Sequence, residues 1–389
     1  MLLRILPVLL ITLLLPVWGI DRMLLRPRWK RVWRTLVYLP NVLLSLALMA
    51  MAFNESYSSA ADYWKGTLLT LTLCLSIPQV IMVVLLLPAW WLRKRSHKIP
   101  CALNLLASVT GVGLLLAMLY GFTLGYRQIN VERITFASPR IPQSFDGYRI
   151  VQITDLHLGT LHGRAPVLSR IVDSINACQP DLVVFTGDLV NYRSSELFEF
   201  EPELRRIRAK DGVISVMGNH DYAQYYRHAS SADSLNDIRT LQQHQRDMHW
   251  QLLLNEHILL RRSTDSMAII GVENGGRPPF PYLARLPQAQ AGLSDSCFKV
   301  LLSHDPTFWH REVLPHSNID ITLSGHTHGM QLKIGNFSPA QWFYDEWGGK
   351  YEHTDGRMLY VSMGTGTVMM PFRLGAWPEV TLITLKATK

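Results

Sequence analysis

The sequence predicts a two-part protein, a bundle of membrane-spanning helices followed by an α/β layered sandwich. Three observations predict it. The first third is apolar and basic, the remainder alternates strand-like and helix-like runs, and five of the strand-like runs end on Asp, Asn or His. A length of 389 residues accommodates two such units. At 48% hydrophobic and 17% charged, with a mean hydropathy of +0.10, the chain is too apolar for an average soluble protein.

Four apolar stretches, about 2–20, 35–53, 67–91 and 101–122, each approach the ~20 residues that cross a bilayer as a helix. Pro7, Pro16, Pro40, Pro78 and Pro88 lie inside them, as membrane helices tolerate. The first stretch lacks an A-x-A-like cleavage site and precedes three more spans, so it is expected to be a retained helix rather than a signal peptide. Loop 21–34 carries Arg22, Arg26, Arg28, Lys30, Arg31 and Arg34, and loop 92–100 carries Arg93, Lys94, Arg95 and Lys98. Loop 54–66 has two acids and one Lys. The positive-inside rule then puts the two basic loops in the cytoplasm, the middle loop outside, and everything after residue 123 outside as well. Trp18, Trp64, Trp90 and Trp91 fall near span ends, where aromatic belts sit. No ionisable residue lies mid-span, which argues for an anchor rather than a transport path.

The net charge of +8 does not indicate nucleic-acid binding, because of where it lies. Residues 1–135 hold 14 Lys/Arg against 4 Asp/Glu, whereas residues 136–389 hold 24 against 26. The basicity belongs to the membrane third. Cys74, Cys101, Cys178 and Cys297 form no C-x-x-C, and neither a disulfide framework nor a zinc–cysteine site is expected.

After the connecting residues 126–146, "RIVQITDLH" ends on Asp155 and His157, "DLVVFTGDL" on Asp188, and "GVISVMGNHD" on Asn219, His220 and Asp221. "FKVLLSHDP" ends on His304 and "IDITLSGHTH" on His326 and His328. All five runs have strand length and composition. Residues 166–178 read as an amphipathic helix opened by Pro166, and 197–209 alternate charge and apolar side chains in a helical way. Residues 222–257 read as a polar, helical insertion, and "SMAIIGVEN", "RMLYVSMGTG" and "EVTLITLKA" as later strands. Strands alternating with helices, then clustering, indicate the layered sandwich.

Imidazole and carboxylate donors without thiolate suit Zn, Fe or Mn. In "DLH" and "HTH" an extended backbone would point residues i and i+2 to one side, and Gly325, Gly329, Gly187 and Gly218 would allow the turns. The seven candidates Asp155, His157, Asp188, Asn219, His304, His326 and His328 are too many for one tetrahedral ion and suit two, with one carboxylate shared. A two-metal clamp lowers the pKa of a bridging water and neutralises phosphoryl charge.

D-x-H, G-D, G-N-H-D, H and G-H-x-H, in this order over about 175 residues, resemble the calcineurin-like metallophosphoesterase superfamily. The resemblance implies a four-layer α/β/β/α sandwich over 147–389, behind a transmembrane region of residues 1–125. It implies one divalent metal on Asp155, His157 and His328, a second on Asn219, His304 and His326, and Asp188 bridging. It also implies that His220 reaches the leaving-group oxygen or a phosphoryl oxygen as acid or stabiliser; Asp221 beside it would orient that imidazole, or else cap a helix or pair structurally. The function expected is a membrane-anchored phosphohydrolase of a bacterial-type plasma membrane, with the catalytic domain outside the cytoplasm and a lipid-linked phosphoester or diphosphate as substrate. With the opposite orientation, a cytoplasmic UDP-diacylglucosamine-type diphosphate of lipid A synthesis becomes the substrate expected. A non-catalytic membrane scaffold or sensor, and a tethered phosphodiesterase acting on soluble nucleotides, are the further alternatives. "MGTGT" (363–367) reads as a tight turn near the site and Arg373 as a structural salt-bridge partner. His162, His228, His244, His249, His257, His316 and His353 read as surface or loop histidines.

Overall fold

The computed structural model describes residues 2–53, 59–93 and 98–389. The chain forms two compact units, Met1–Thr123 and Leu124–Lys389. Among the described residues of the first unit, four helices are long and apolar enough to cross a membrane: α1 (Leu2–Ile20), α2 (Arg31–Ala52), α3 (Ser59–Leu92) and α4 (Lys98–Thr123). The basic loop expected over 21–34 is shorter than its composition suggested. A π-helical turn, Asp21–Leu25, follows α1, and α2 starts at Arg31. Arg34 donates to both Asp21 carboxylate oxygens at 2.5 and 2.7 Å, which draws the charged ends of the two helices together. Residues 54–58 of the loop expected outside, and 94–97 of the second basic loop, lie outside the described residues. All five span prolines sit inside helices. Helix-borne hydroxyls donate back to carbonyls one turn earlier, Ser45 to Asn41 and Thr72 to Leu68, each at 2.7 Å.

The second unit is built on two six-stranded sheets. The first contains β1 (Asn130–Ser138), β2 (Arg149–Ile153), β3 (Leu182–Phe185), β4 (Val213–Ser215), β5 (Trp250–Leu252) and β12 (Glu379–Ala387), in the order β1-β12-β2-β3-β4-β5. The second contains β6 (Glu256–Arg262), β7 (Asp265–Gly271), β8 (Phe298–Leu302), β9 (Ile321–Ser324), β10 (Gly349–Glu352) and β11 (Met358–Val361), in the order β10-β11-β9-β8-β7-β6. Strands β2 to β5 run parallel, as do β7, β8, β9 and β11. The C-terminal ends of β2, β3 and β4, and of β8 and β9, which carry the candidate ligands, therefore lie at one edge of each sheet.

Alternation along the strands divides the core. Ile150, Val184 and Ile214 of the first sheet meet Ile269, Val300 and Leu323 of the second. The opposite residues of the first sheet, Val151, Val183 and Phe185, pack on Leu168, Ile171 and Ile175 of α5 (Ala165–Ala177). Ala268, Leu301 and Val361 of the second sheet pack outward on Trp309 and Val313. The result is the α/β/β/α order.

Two segments differ from their sequence patterns. Residues 197–209 keep only a short helix, α6 (Glu201–Leu204), because the Asn176 side chain captures the Arg206 carbonyl and the Arg208 N–H. Residues 130–138, expected to be connecting chain, form β1, paired in parallel with β12 over its whole length. The insertion at 222–257 contributes α7 (Ser231–Asp247), capped by the Ser230 hydroxyl accepting from Asp233 N–H, together with β5 and the first residues of β6.

Candidate metal centre

Each ligand candidate sits just past a strand. The β2 and β3 loops are joined by their backbones, Asp155 N–H donating to Gly187 O at 2.9 Å and His157 N–H to Asp188 O at 3.2 Å. The loop 363–367 supports them from below, Thr365 N–H donating to Thr154 O at 2.9 Å and Gly366 N–H to Asp155 O at 2.8 Å.

The extended i, i+2 geometry expected for the paired ligands is replaced by left-handed backbone. Asp155, His157, Asp188, His326 and His328 have φ of 55°, 45°, 61°, 73° and 52°. Non-glycine residues hold such angles only where the surroundings over-determine them, and here the loop-to-loop hydrogen bonds do so. Of the four glycines expected to allow turns, Gly187 and Gly329 do so at φ of 98° and 53°, whereas Gly325 and Gly218 act differently. A Cβ on Gly325 would lie 2.3 Å from Asp155 Oδ2, and one on Gly218 2.2 Å from Asp188 Oδ1. These two glycines provide room for carboxylates rather than a turn.

The seven candidates converge. His157 Nε2 and His328 Nε2 are 3.0 Å apart, and Asp155 Oδ1 lies 3.2 Å from His328 Nε2 and 3.9 Å from His157 Nε2. On the other side, His304 Nε2 lies 3.1 Å from Asn219 Oδ1, 3.2 Å from Asp188 Oδ2 and 3.3 Å from His326 Nδ1. Asp188 Oδ2 is also 3.5 Å from His157 Nε2, so one carboxylate stands between the two groups.

Donor chemistry makes these candidate cation sites. His304 Nδ1 donates to Thr186 O at 2.8 Å, so Nε2 is the nitrogen that offers its lone pair to a cation once its proton is displaced. Asn219 Nδ2 donates to the Tyr225 hydroxyl at 2.9 Å, which turns its carbonyl oxygen inward. Lone pairs of nitrogen, amide oxygen and carboxylate then face one another, and donors held ~2.1 Å from one tetrahedral ion would be ~3.4 Å apart. The residues present fit divalent metal ions.

Electrostatics agree. Burial opposes ionisation of Asp155 and Asp188, yet the neighbouring imidazoles, His328 foremost for Asp155 and His304 for Asp188, hold both carboxyls below the usual range. Burial also disfavours charge on His304, but Asp188 and then Asp155 push it up to about 10. Two dry carboxylates thus demand positive charge between them.

His220 lies beside Asp188 and His157, near enough to form a further candidate ligand group with them. Its backbone N–H donates to Asp188 Oδ1 at 2.8 Å, its Nδ1 donates to Asn191 O at 2.7 Å, and its ring stacks on Tyr225 with centroids 4.3 Å apart. The orienting role expected of Asp221 therefore falls to the Asn191 carbonyl. Asp221 instead accepts four backbone N–H groups, from Asp188 and Gly218 at 2.9 Å, Leu189 at 2.8 Å and Val190 at 3.2 Å. It clamps the Asp188 loop to the Gly218 loop.

Arg373 makes no ion pair among the described residues. It is fully buried, and its guanidinium donates to Gly366 O and Ala376 O at 2.8 Å and to His328 Nδ1 at 3.2 Å. Burial pushes it down to about 10. Sequence reasoning missed Tyr225, Tyr344, whose hydroxyl lies 3.0 Å from His326 Nε2, and Asn191. Only the proximity of Asn191 to "GD" hinted at its place. The seven histidines read as surface or loop residues join no ligand group among the described residues. His162 pairs with Glu199 at 3.0 Å, and His257 donates to Ala289 O at 2.7 Å.

Residues 148–330 match the family model described as calcineurin-like phosphoesterase. An uncharacterized metallophosphoesterase of Bacillus subtilis is 30% identical over 289 residues, which cover 69% of this chain and 90% of that protein. A transmembrane protein with metallophosphoesterase domain from Danio rerio is 28% identical over 276 residues, covering 69% of this chain and 60% of its own length. Among solved structures, the phosphopantetheinyl hydrolase of Mycobacterium tuberculosis aligns with 15% identity and a TM-score of 0.35, over 58% of this chain and 91% of that one.

Proposed function

The chain belongs to the calcineurin-like phosphoesterase family, whose members are metal-dependent phosphoester hydrolases, and on that premise we propose that it cleaves a lipid-linked phosphoester or diphosphate outside the cytoplasm. The observation that carries the hydrolytic part of this reading is Asp188, a buried carboxylate standing between two sets of inward-facing lone pairs. Asp155, His157 and His328 would hold one divalent cation, Asn219, His304 and His326 a second, with Asp188 shared and Mn, Fe or Zn suited to these donors. When bound, such a pair activates water and neutralises charge on the phosphoryl oxygens.

The chain's own residues supply the rest. The Asn191 carbonyl fixes Nδ1–H of His220, so Nε2 is the atom that delivers a proton to the leaving-group oxygen. Tyr225 covers one face of that ring and holds its plane. The four apolar helices and the basic loops between them support an anchored enzyme with an exported active site. Anchoring matters most for a substrate that is itself held in the bilayer.

The test uses the full chain in lipid nanodiscs, with a long-chain lipid phosphate and a soluble nitrophenyl phosphodiester as substrates. His220→Ala is expected to retain bound metal by elemental analysis and to lose about 10²–10⁴-fold in kcat. Unchanged turnover would remove His220 from the chemistry. The side of the membrane is read separately, by impermeant thiol labelling of Asn236→Cys in intact cells. Asn236 is exposed on α7, whereas the neighbouring Ser234 is half-buried. Labelling only after lysis would place the site in the cytoplasm.

A further inference from the structure

The segment that follows the His326–His328 pair exposes several large apolar side chains, with Asn336 and Gln341 exposed between them and Asp345 just beyond. Of residues 330–344, Lys333 alone is charged. Ile334 is 65% exposed, Trp342 69% and Phe343 63%, and Met330, Phe337 and Met369 are exposed as well. Large side chains of this kind are scattered singly over most soluble surfaces, so a cluster calls for an occupant.

These residues belong to one lobe. A tight hairpin joins Ile334 and Phe337 through reciprocal backbone hydrogen bonds of 2.9 and 3.1 Å. The rings of Phe337 and Trp342 lie 5.6 Å apart. Ser338 donates to Gly329 O at 2.6 Å, which fixes the far end of the segment against the metal loop. Gln331 exchanges two hydrogen bonds with the Val368 backbone and so brings in the neighbouring Met369. The lobe adjoins the metal centre directly, because Tyr344, next in sequence to Phe343, meets His326. The single cation, Lys333, lies 5.9 Å from the Trp347 ring, the Lys–Trp pairing found at headgroup depth.

We propose that Met330, Ile334, Phe337, Trp342, Phe343 and Met369 form a lip beside the metal centre that inserts into the acyl region of a lipid bilayer. This deepens the lipid-linked reading above and rests on it for its role in catalysis. The occupant follows from the covalent arrangement. The catalytic unit begins at Leu124, the residue after the last of four helices long and apolar enough to cross a membrane, so the chain itself tethers it within reach of any bilayer they span. A rigid lip carrying Trp, Phe, Ile and Met beside a phosphate-handling site would let the phosphoester reach the metals while its chains stay in lipid.

Insertion is tested without catalysis. Phe343→Cys, in a chain carrying Cys101→Ser and Cys297→Ser, is labelled with bimane and placed in nanodiscs containing doxyl-labelled phospholipid. A blue-shifted emission quenched by the acyl-chain doxyl group is expected. Emission that stays red-shifted and unquenched overturns the proposal, whatever the substrate. Turnover of Trp342→Ser/Phe343→Ser is then compared on the two substrates. The proposal expects a loss of at least about tenfold in kcat/KM on the long-chain lipid phosphate, with the soluble diester within about threefold of wild type. Equal losses on both would assign these residues to folding and overturn the lip. Quenching in a protein that hydrolyses only the soluble ester would uphold the lip and refute the lipid-linked substrate.

Discussion

Asp221→Asn separates two roles for a residue that stands next to the candidate acid. In the structure Oδ1 accepts from Leu189 and Val190, and Oδ2 accepts from Gly218 and Asp188. An amide in this place offers one oxygen and one NH2 group, so two buried backbone N–H donors face a donor. Each unsatisfied group costs about 1–3 kcal/mol, giving about 2–6 kcal/mol for the pair. At about 2–4 °C per kcal/mol for a unit of this size, thermal unfolding of the catalytic unit is expected to fall by roughly 10 °C. The same four bonds hold Asp188 at φ 61°, so metal content should fall in parallel. Differential scanning fluorimetry and elemental analysis of the purified full chain check both. If the variant melts with wild-type protein, keeps its metal and loses only kcat, the clamp is refuted and Asp221 acts through His220 after all.

Arg373→Lys replaces a planar fork by a single ammonium that cannot satisfy the Gly366 and Ala376 carbonyls and His328 Nδ1 together. We expect a loss of about 1–3 kcal/mol in unfolding experiments and faster metal release to a chelator; an unchanged release rate would show that His328 needs no such support. Asp181 accepts from Arg149 N–H, Lys210 and Arg262. Burial opposes its ionisation, but Lys210 first and then the Arg149 N–H hold its carboxyl below the ordinary value. A depressed folded pKa means stability that is present above the unfolded value of about 3.9 and lost as pH falls through the folded one. Asp181→Asn should therefore cost about 1.5–3 kcal/mol at pH 7 and progressively less toward pH 3, measured as thermal unfolding across pH. A penalty independent of pH would contradict this.

That the seven candidate residues would come together was legible in the sequence because parallel strands present their C-terminal ends together, and each of the five runs carried its polar residues at that end. The apolar helices were legible for a simpler reason, since a bilayer imposes length and composition on any segment that crosses it. Both are properties of one segment at a time.

What the sequence could not state is which groups meet. Asp221 adjoins His220 in the chain, but the carboxylate faces the backbone of the Asp188 loop while the imidazole faces Asn191. β1 looked like a connection because its partner, β12, lies some 250 residues later. The pairing of paired ligands on extended backbone failed because loop-to-loop hydrogen bonds force left-handed angles. Tyr225, Tyr344 and Arg373 reach the site from segments with no motif of their own, and the exposed lip exists only because folding left those side chains uncovered. Local pattern determines which elements form and what each can donate. Hydrogen-bond satisfaction in a buried, charged centre, which counts partners from the whole chain, decides what each residue does there.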